Sequence, residues 1–404
     1  MVNYADYKYS TLKYCINKND IFKHNIDRDF QVLLVDQKST YDSSAVESAI
    51  ANNFKILNKV VVKWSDEKYL ENSSRLFDGE MVLKEFLVYV LEDNNPQYRQ
   101  VFHTKRFENT NILSLKDALE KNHDCYLSHE VGDFFRVTSL IFGRNLLLQL
   151  INGFQIDIYE NDILGANGWE NFEEFIAIAN ITSNWLVLRN FEFLPFDFFG
   201  NDTDVDVLCE SIALYSRNMN LEKRSWGIGA YHTIIGNQCV PFDVRFQGDD
   251  YYDRLWEYNM LKNKTFTSEN VPRMNNIDYF FSLLYHSKIQ KIAVKEIYVE
   301  RFHELSQKIN FFEYNFDDIY DDNRIARFIS DFLTLNNYKY YKPLDINVPE
   351  NDAVMKYIDA DLKMKMVFTM PFKIKVIKFT PSIFVKLIPR NIRTLIKRYL
   401  NVQG

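Results

Sequence analysis

A chain of 404 residues that is 47% hydrophobic and 16% aromatic, with 33 Phe and 25 Tyr, has the apolar material for two or three cores and falls outside the disordered class. Its net charge of −7 is unevenly spread: from Leu362 onward there are ten Lys or Arg and no Asp or Glu, which leaves 38 basic against 55 acidic side chains, or −17, in the rest. An acidic body of that kind argues against nucleic acid as a partner for the whole surface.

Cys15, Cys125, Cys209 and Cys239 show none of the spacings that ligate zinc or build a disulfide framework, which fits a reducing compartment. The opening residues MVNYADYKYSTLKYC lack a basic segment followed by an apolar one, so no signal peptide is expected. Apolar runs such as NLLLQLI are too short to span a bilayer.

Residues 1–130 alternate strand and helix patterns and predict a small α/β domain. FQVLLVDQ, NKVVVKWS and EFLVYVLED read as buried strands, and DSSAVESAIANNF as a helix opened by a Ser/Asp cap. Residues 131–262 form the next expected unit. It begins with two amphipathic helices, GDFFRVTSLIF and ENFEEFIAIANI, and continues with the strands WLVLRNFEF, DTDVDVLCE and YHTIIGNQCVPFDVR. Residues 263–345 read as helical, through NNIDYFFSLLYHSKIQK, EIYVERFHELSQKI and DNRIARFISDFLTL. A polar stretch, KPLDINVPENDA, then leads into a basic tail, residues 346–404.

The chemistry concentrates in FFGNDTDVDVLCES, where Asp202, Asp204 and Asp206 fall at every second position. In a strand these three share one face. Carboxylates so close repel one another, and a divalent cation among them reverses the sign of that energy. All-oxygen ligands suit Mg²⁺ or Mn²⁺. A calcium loop is excluded, because Val207 and Ala213 stand where that motif needs Gly and Glu. A plain acidic turn before a strand is the alternative. Two neighbouring features favour a metal site. Asp243 closes a later apolar strand and supplies a third carboxylate, and Arg189, Asn190 and Gly200 lie just upstream as candidate phosphate contacts.

Over residues 184–262 this pattern resembles the DNA polymerase beta-like nucleotidyltransferase superfamily, in which [DE]-x-[DE] enters a strand after a small or Gly-containing turn and a further acidic residue follows on an adjacent strand. LRNFEFLP…FFG stands where that family has a Gly-Ser helix start. The resemblance implies an α+β, nucleotidyltransferase-like mixed sheet core, with Asp204, Asp206 and Asp243 as catalytic metal ligands. Asp243 would be either a ligand of a second ion or the proton acceptor. Arg189 and Arg245 would either stabilise charge on the transferring group or serve as salt-bridge partners.

Gly248-Asp249-Asp250, in RFQGDDYYDRLWEYNML, is a candidate for closing over a substrate, and Tyr251 and Tyr252 either stack on a base or sugar or belong to the core. Trp256 reads as core. His286, on an apolar helix with Lys291 nearby, is either a hydrogen-bonded core histidine or a substrate contact. In the first domain the run from FLVYVLED to GDFF is similar to nucleoside diphosphate kinases, which have a ferredoxin-like core. His123 and His129 sit outside that family's catalytic motif, so shape is carried over and kinase activity is not.

The tail MVFTMPFKIKVIKFTPSIFVKLIPRNIRTLIKRYL interleaves apolar and basic residues and suits an anionic membrane surface, each basic residue contributing about 1 kcal/mol. Packing on the acidic body, or binding RNA, are the alternatives. Its composition is similar to the basic C-termini of bacterial enzymes that build surface polysaccharides. The expectation is therefore a metal-dependent transferase at the inner face of the cytoplasmic membrane. It would move a nucleotidyl, sugar-phosphate or polyol-phosphate unit from a nucleotide-activated donor to a glycan acceptor of capsule or cell wall. A nucleotidyltransferase acting on RNA or protein, and a non-catalytic protein that kept the fold, are the competing expectations.

Overall fold

The computed structural model describes residues 28–37, 43–77, 81–100, 107–119, 125–200, 204–225, 228–291, 294–345 and 347–364. Asp202, His123 and the tail from residue 365 onward lie outside the described residues.

The first sheet follows from apolar runs too hydrophobic for a one-sided strand. The elements are β1 (Asp29–Asp36), α1 (Ser43–Ala51), β2 (Phe54–Lys63), α2 (Tyr69–Phe77), β3 (Glu85–Asp93), a hairpin of β4 (Tyr98–Gln100) and β5 (Phe107–Asn109), α3 (Thr110–Leu119), β6 (Cys125–Leu127), α4 (Val131–Ile151) and β7 (Ile158–Tyr159). Strand order is β6-β1-β3-β2-β7, antiparallel throughout except for β2 with β7. Both faces are covered. Leu33, Val35, Leu87 and Tyr89 pack under α1 and α3 through Val46, Ile50, Ile112 and Leu115. Val32, Leu34, Val88 and Val90 join the larger core with α4, where Phe30 stacks on Phe134 at 5.3 Å. Each such fully buried side chain contributes roughly 1.5–3 kcal/mol.

Helix α4 is 21 residues long and is the one described helix apolar enough to cross a membrane by length and composition. That span exceeds the apolar runs read from sequence. It is packed into the core through Phe134, Val137, Leu140, Ile141, Leu147 and Leu150. Gly143 breaks its regularity with φ 72°, and the amide of Leu164 takes up the freed Leu140 carbonyl at 2.8 Å.

The second sheet carries the acidic strand. After α5 (Phe172–Thr182) come β8 (Trp185–Val187), β9 (Val205–Cys209), α6 (Ile212–Asn218), β10 (Glu222–Lys223), β11 (Ala230–Ile235), β12 (Gln238–Phe246), α7 (Arg254–Lys262), β13 (Thr265–Phe266) and β14 (Pro272–Arg273). Their order is β10-β11-β12-β9-β8-β14-β13, with β12 parallel to β9 and β8 antiparallel to β9. The stretch read as one strand, YHTIIGNQCVPFDVR, is a hairpin. Gly236 and Asn237 both take positive φ, 57° and 63°, which is what a two-residue type I′ turn requires.

One face of this sheet packs on α5 and α6, with Phe175 5.3 Å from Phe242 and Trp185 5.7 Å from Tyr215. The C-terminal helices α8 (Asn276–Lys288), α9 (Glu296–Lys308) and α10 (Asp322–Leu335) pack together through α8 and precede a short α11 (Asp352–Met355). From Asp278 to Lys288 every side chain of α8 is buried, and Phe281 stacks on Phe332 at 4.0 Å. The molecule is thus a mixed α+β protein built on two mixed sheets.

Candidate active site

Strand register brings the carboxylates together. In the parallel pair β9–β12, Asp206 stands directly beside Asp243, and Val207 beside Val244. Neighbouring strands run about 4.8 Å apart, and side chains alternate between faces. Asp206 and Asp243 therefore share one face, while Val205, Val207, Phe242 and Val244 are buried on the other. Asp204 lies two residues before Asp206 at the mouth of the strand, partly buried.

Each of the paired carboxylates is matched by an arginine. Arg189 follows β8, and the amide of Leu188 bonds to the Asp206 carbonyl at 2.8 Å, so the ladder delivers Arg189 to that carboxylate. Its Nε donates to Asp206 Oδ2 at 3.1 Å and its Nη2 to Oδ1, a two-armed grip. Both side chains are enclosed, 6% and 12% exposed. Burial alone would push the Arg189 guanidinium down, but the charge and hydrogen bonds of Asp206 together with Tyr251 and Tyr252 outweigh it and hold the group well above the usual arginine range.

Arg245, two residues beyond Asp243, donates from Nη2 to Asp243 Oδ2 at 3.0 Å and from Nη1 to Asp345 Oδ2 at 3.1 Å. It also lies over the Tyr251 ring, 4.3 Å from its centroid. Asp345 comes from the polar stretch after α10, which returns to the body where the Leu344 amide bonds to the Asp249 carbonyl at 3.2 Å.

The floor of the site is polar and closed. Tyr251 Oη and His286 Nδ1 are 2.9 Å apart. Burial pushes the imidazole of His286 well below its ordinary value, and the nearby Arg189 charge adds to this, so it is neutral. The hydrogen-bonded core histidine is the arrangement found. Two arginine nitrogens in the same region, Arg189 Nη1 and Arg245 Nε, are buried and find no hydrogen-bond partner among the described residues. Gly229, at φ 90°, lies against Asp243. A Cβ there would stand 2.7 Å from Asp243 Oδ1 and 2.8 Å from the Val244 carbonyl oxygen.

The remaining predicted residues have distinct placements. Asp249 is 2% exposed and turned inward, accepting from the amides of Tyr251 at 2.9 Å and Phe246 at 3.4 Å. It shares a proton with Glu257, whose Oε2 accepts from the Gly248 amide at 2.7 Å. Burial, then the Asp249 charge, push Glu257 up to about 10, while burial brings Asp249 up to about 6. This pair fixes the turn that carries Tyr251. Tyr252 is buried 4.9 Å from Trp256, itself core as expected. Asn190 takes left-handed φ 56° and receives Arg301 Nη1 at 3.1 Å. Gly200, φ 106°, ends a segment that exposes Phe196 and Phe199.

The sheet therefore brings together Asp206, Asp243, Arg189 and Arg245, with His286 behind them, and leaves Asp249 and Tyr252 inside the fold. Asp345 and Gly229 were not read as site residues from sequence. Asp345 gave no signal, since its role depends on a chain reversal 100 residues from Arg245.

The donor chemistry fits Mg²⁺ or Mn²⁺, being carboxylate oxygen on one face of one sheet. In the arrangement seen, however, no three His, Cys, Asp or Glu groups among the described residues stand close enough to hold an ion. Both oxygens of Asp206 and Oδ2 of Asp243 are turned to the arginines instead. A cavity of about 730 Å³ lies apart from this site, between the Gly143 break of α4, the first turns of α5 and the β13–β14 turn, and no sequence-predicted residue lines it. No family model matches the chain, and no curated protein or solved structure matches it.

Proposed function

We propose that this protein is a metal-dependent transferase of a phosphorus-containing group, with a nucleotidyltransferase-like core in the second sheet. The observation that supports the reading is the in-register pairing of Asp206 with Asp243 on adjacent parallel strands, with Asp204 two residues upstream. Asp204, Asp206 and Asp243 would hold Mg²⁺ or Mn²⁺. Bound there, such an ion would neutralise donor phosphates and lower the pKa of an acceptor hydroxyl. Arg189 and Arg245, each with one unpartnered buried nitrogen, have donor capacity left for phosphate oxygens. His286, neutral and tied to Tyr251, orients the floor of the site.

The first sheet orders its strands β6-β1-β3-β2 antiparallel, with α1 between β1 and β2 and α3 between β3 and β6. This supports a ferredoxin-like accessory unit. The basic tail supports a location at the inner face of the cell membrane, and with it a glycan acceptor of capsule or cell wall served by a nucleotide-activated donor.

A second reading has its own observation. With both paired carboxylates engaged by arginine, the chain is instead a non-catalytic protein that kept the fold. Thermal-shift titration with Mg²⁺ or Mn²⁺ and a panel of nucleoside triphosphates and nucleotide-activated sugars and polyols separates the two. A ligand at a hundred times its Kd stabilises by about 2.7 kcal/mol. Such a stabilisation, dependent on the cation and lost in Asp243→Asn, is the expected result. No response to any member of the panel would favour the second reading.

A further inference from the structure

We infer that Arg189 is a latch on the carboxylate pair: it holds Asp206 closed, and a divalent cation binds only when that grip is released. The inference rests on the transferase reading and adds a regulatory role to a residue expected to meet phosphate or to serve as a salt-bridge partner.

The two arginines of the site are anchored differently. Arg245 grips two carboxylates, and its bond to Asp345 keeps it in place when Asp243 turns elsewhere. Arg189 has Asp206 as its acceptor, takes both oxygens of it, and sits 94% enclosed. While that grip lasts, Asp206 has no oxygen free for an ion in the plane of the fork. The third nitrogen, Nη1, is buried and unpartnered. A phosphate oxygen entering with the cation would satisfy it, so cation and phosphate together favour the open latch where either alone meets the closed one. The apparent affinity of an ion for a site competent in only a fraction of molecules falls by that fraction.

The test is Mn²⁺ alone, without nucleotide, followed by loss of the free-ion electron paramagnetic resonance signal in wild type, Arg189→Gln and Arg189→Lys, each with and without Asp206→Asn. If fewer than about one molecule in ten has the latch open, the Gln variant binds Mn²⁺ at least about tenfold tighter than wild type, and Lys, with one contact point, lies between. Addition of inorganic phosphate tightens wild type and leaves the Gln variant nearly unchanged. Equal or weaker binding in both variants, with binding in wild type intact, overturns the latch alone. Absence of binding in every protein overturns the latch and the transferase reading together. Should Arg189→Gln not fold, ¹⁵N-arginine labelling of wild type gives the same answer. The Arg189 Nε–H signal, assigned by its loss in the Lys variant, must shift as Mg²⁺ and phosphate are added. A signal that stays fixed while the ion binds contradicts the inference.

Discussion

Replacing Asp243 with Asn separates a carboxylate kept for chemistry from one kept for stability. Asp243 is 29% exposed, and its partner Arg245 retains Asp345 at 3.1 Å, a bond whose ends are 7% and 8% exposed. Losing Asp243 therefore removes one solvent-screened contact and leaves no naked charge, at a cost of about 1 kcal/mol. Asp206→Asn differs, because Arg189 is 6% exposed and no other acceptor for its fork stands among the described residues. An uncompensated buried guanidinium costs about 3–5 kcal/mol. Asp345→Asn falls between the two, since Arg245 loses its most enclosed partner but keeps Asp243 at 3.0 Å. Against a total of about 5–15 kcal/mol for a domain, the first change leaves a well-folded protein and Asp206→Asn threatens folding. Urea unfolding followed by far-ultraviolet circular dichroism and tryptophan fluorescence gives the three values. If Asp243→Asn costs as much as Asp345→Asn, Asp243 is a structural ion-pair partner and the argument for a functional carboxylate fails.

Three further outcomes follow from the same geometry. Glu257 is raised from an ordinary 4.5 to about 10, so the folded protein keeps a proton that the unfolded chain releases. The stability contributed by this retained proton is fully present below pH 4.5 and is lost as pH rises toward 10. Melting temperatures from pH 6 to 10 should decline in wild type and decline less in Glu257→Gln, and parallel slopes would refute the assignment. Gly229→Ala places a Cβ 2.7 Å from Asp243 Oδ1 at positive φ. It should cost about 1–3 kcal/mol and disturb cation binding, whereas an unaffected variant would show that the loop is free to move. In vesicle flotation with anionic lipid, removal of residues 362–404 should abolish binding, and a truncated protein that still floats would remove the membrane assignment.

The sequence exposed those parts of the fold whose cause is local. Apolar runs bounded by polar residues marked β1, β2 and β3, and the spacing of buried residues marked α8, α9 and α10 within a turn or so of their ends. The alternation Asp204–Val205–Asp206–Val207 gave the correct faces for β9, because period-two patterning is a property of one strand alone. The β11–β12 hairpin escaped although Gly236-Asn237 announces it, since the run on either side is apolar enough to read as one element. The two-residue strands β13 and β14 have no periodicity to detect.

The site divides in the same way. Asp206 and Asp243 were legible as residue types, but their register is decided by strand pairing 37 positions apart. That Arg189 would face Asp206, and that Asp345 would reach Arg245, depends on where three separate segments cross, and nothing in the local chemistry of any one of them encodes it.

The most direct test of the central claim is Mn²⁺ binding to wild type and to Asp204→Asn/Asp243→Asn, which leaves the Arg189–Asp206 pair intact, in the presence of saturating inorganic phosphate. The account predicts a saturable site in wild type that disappears from the double variant while the fold, read by circular dichroism, persists. Equal binding by the two proteins, or none by wild type, would contradict it.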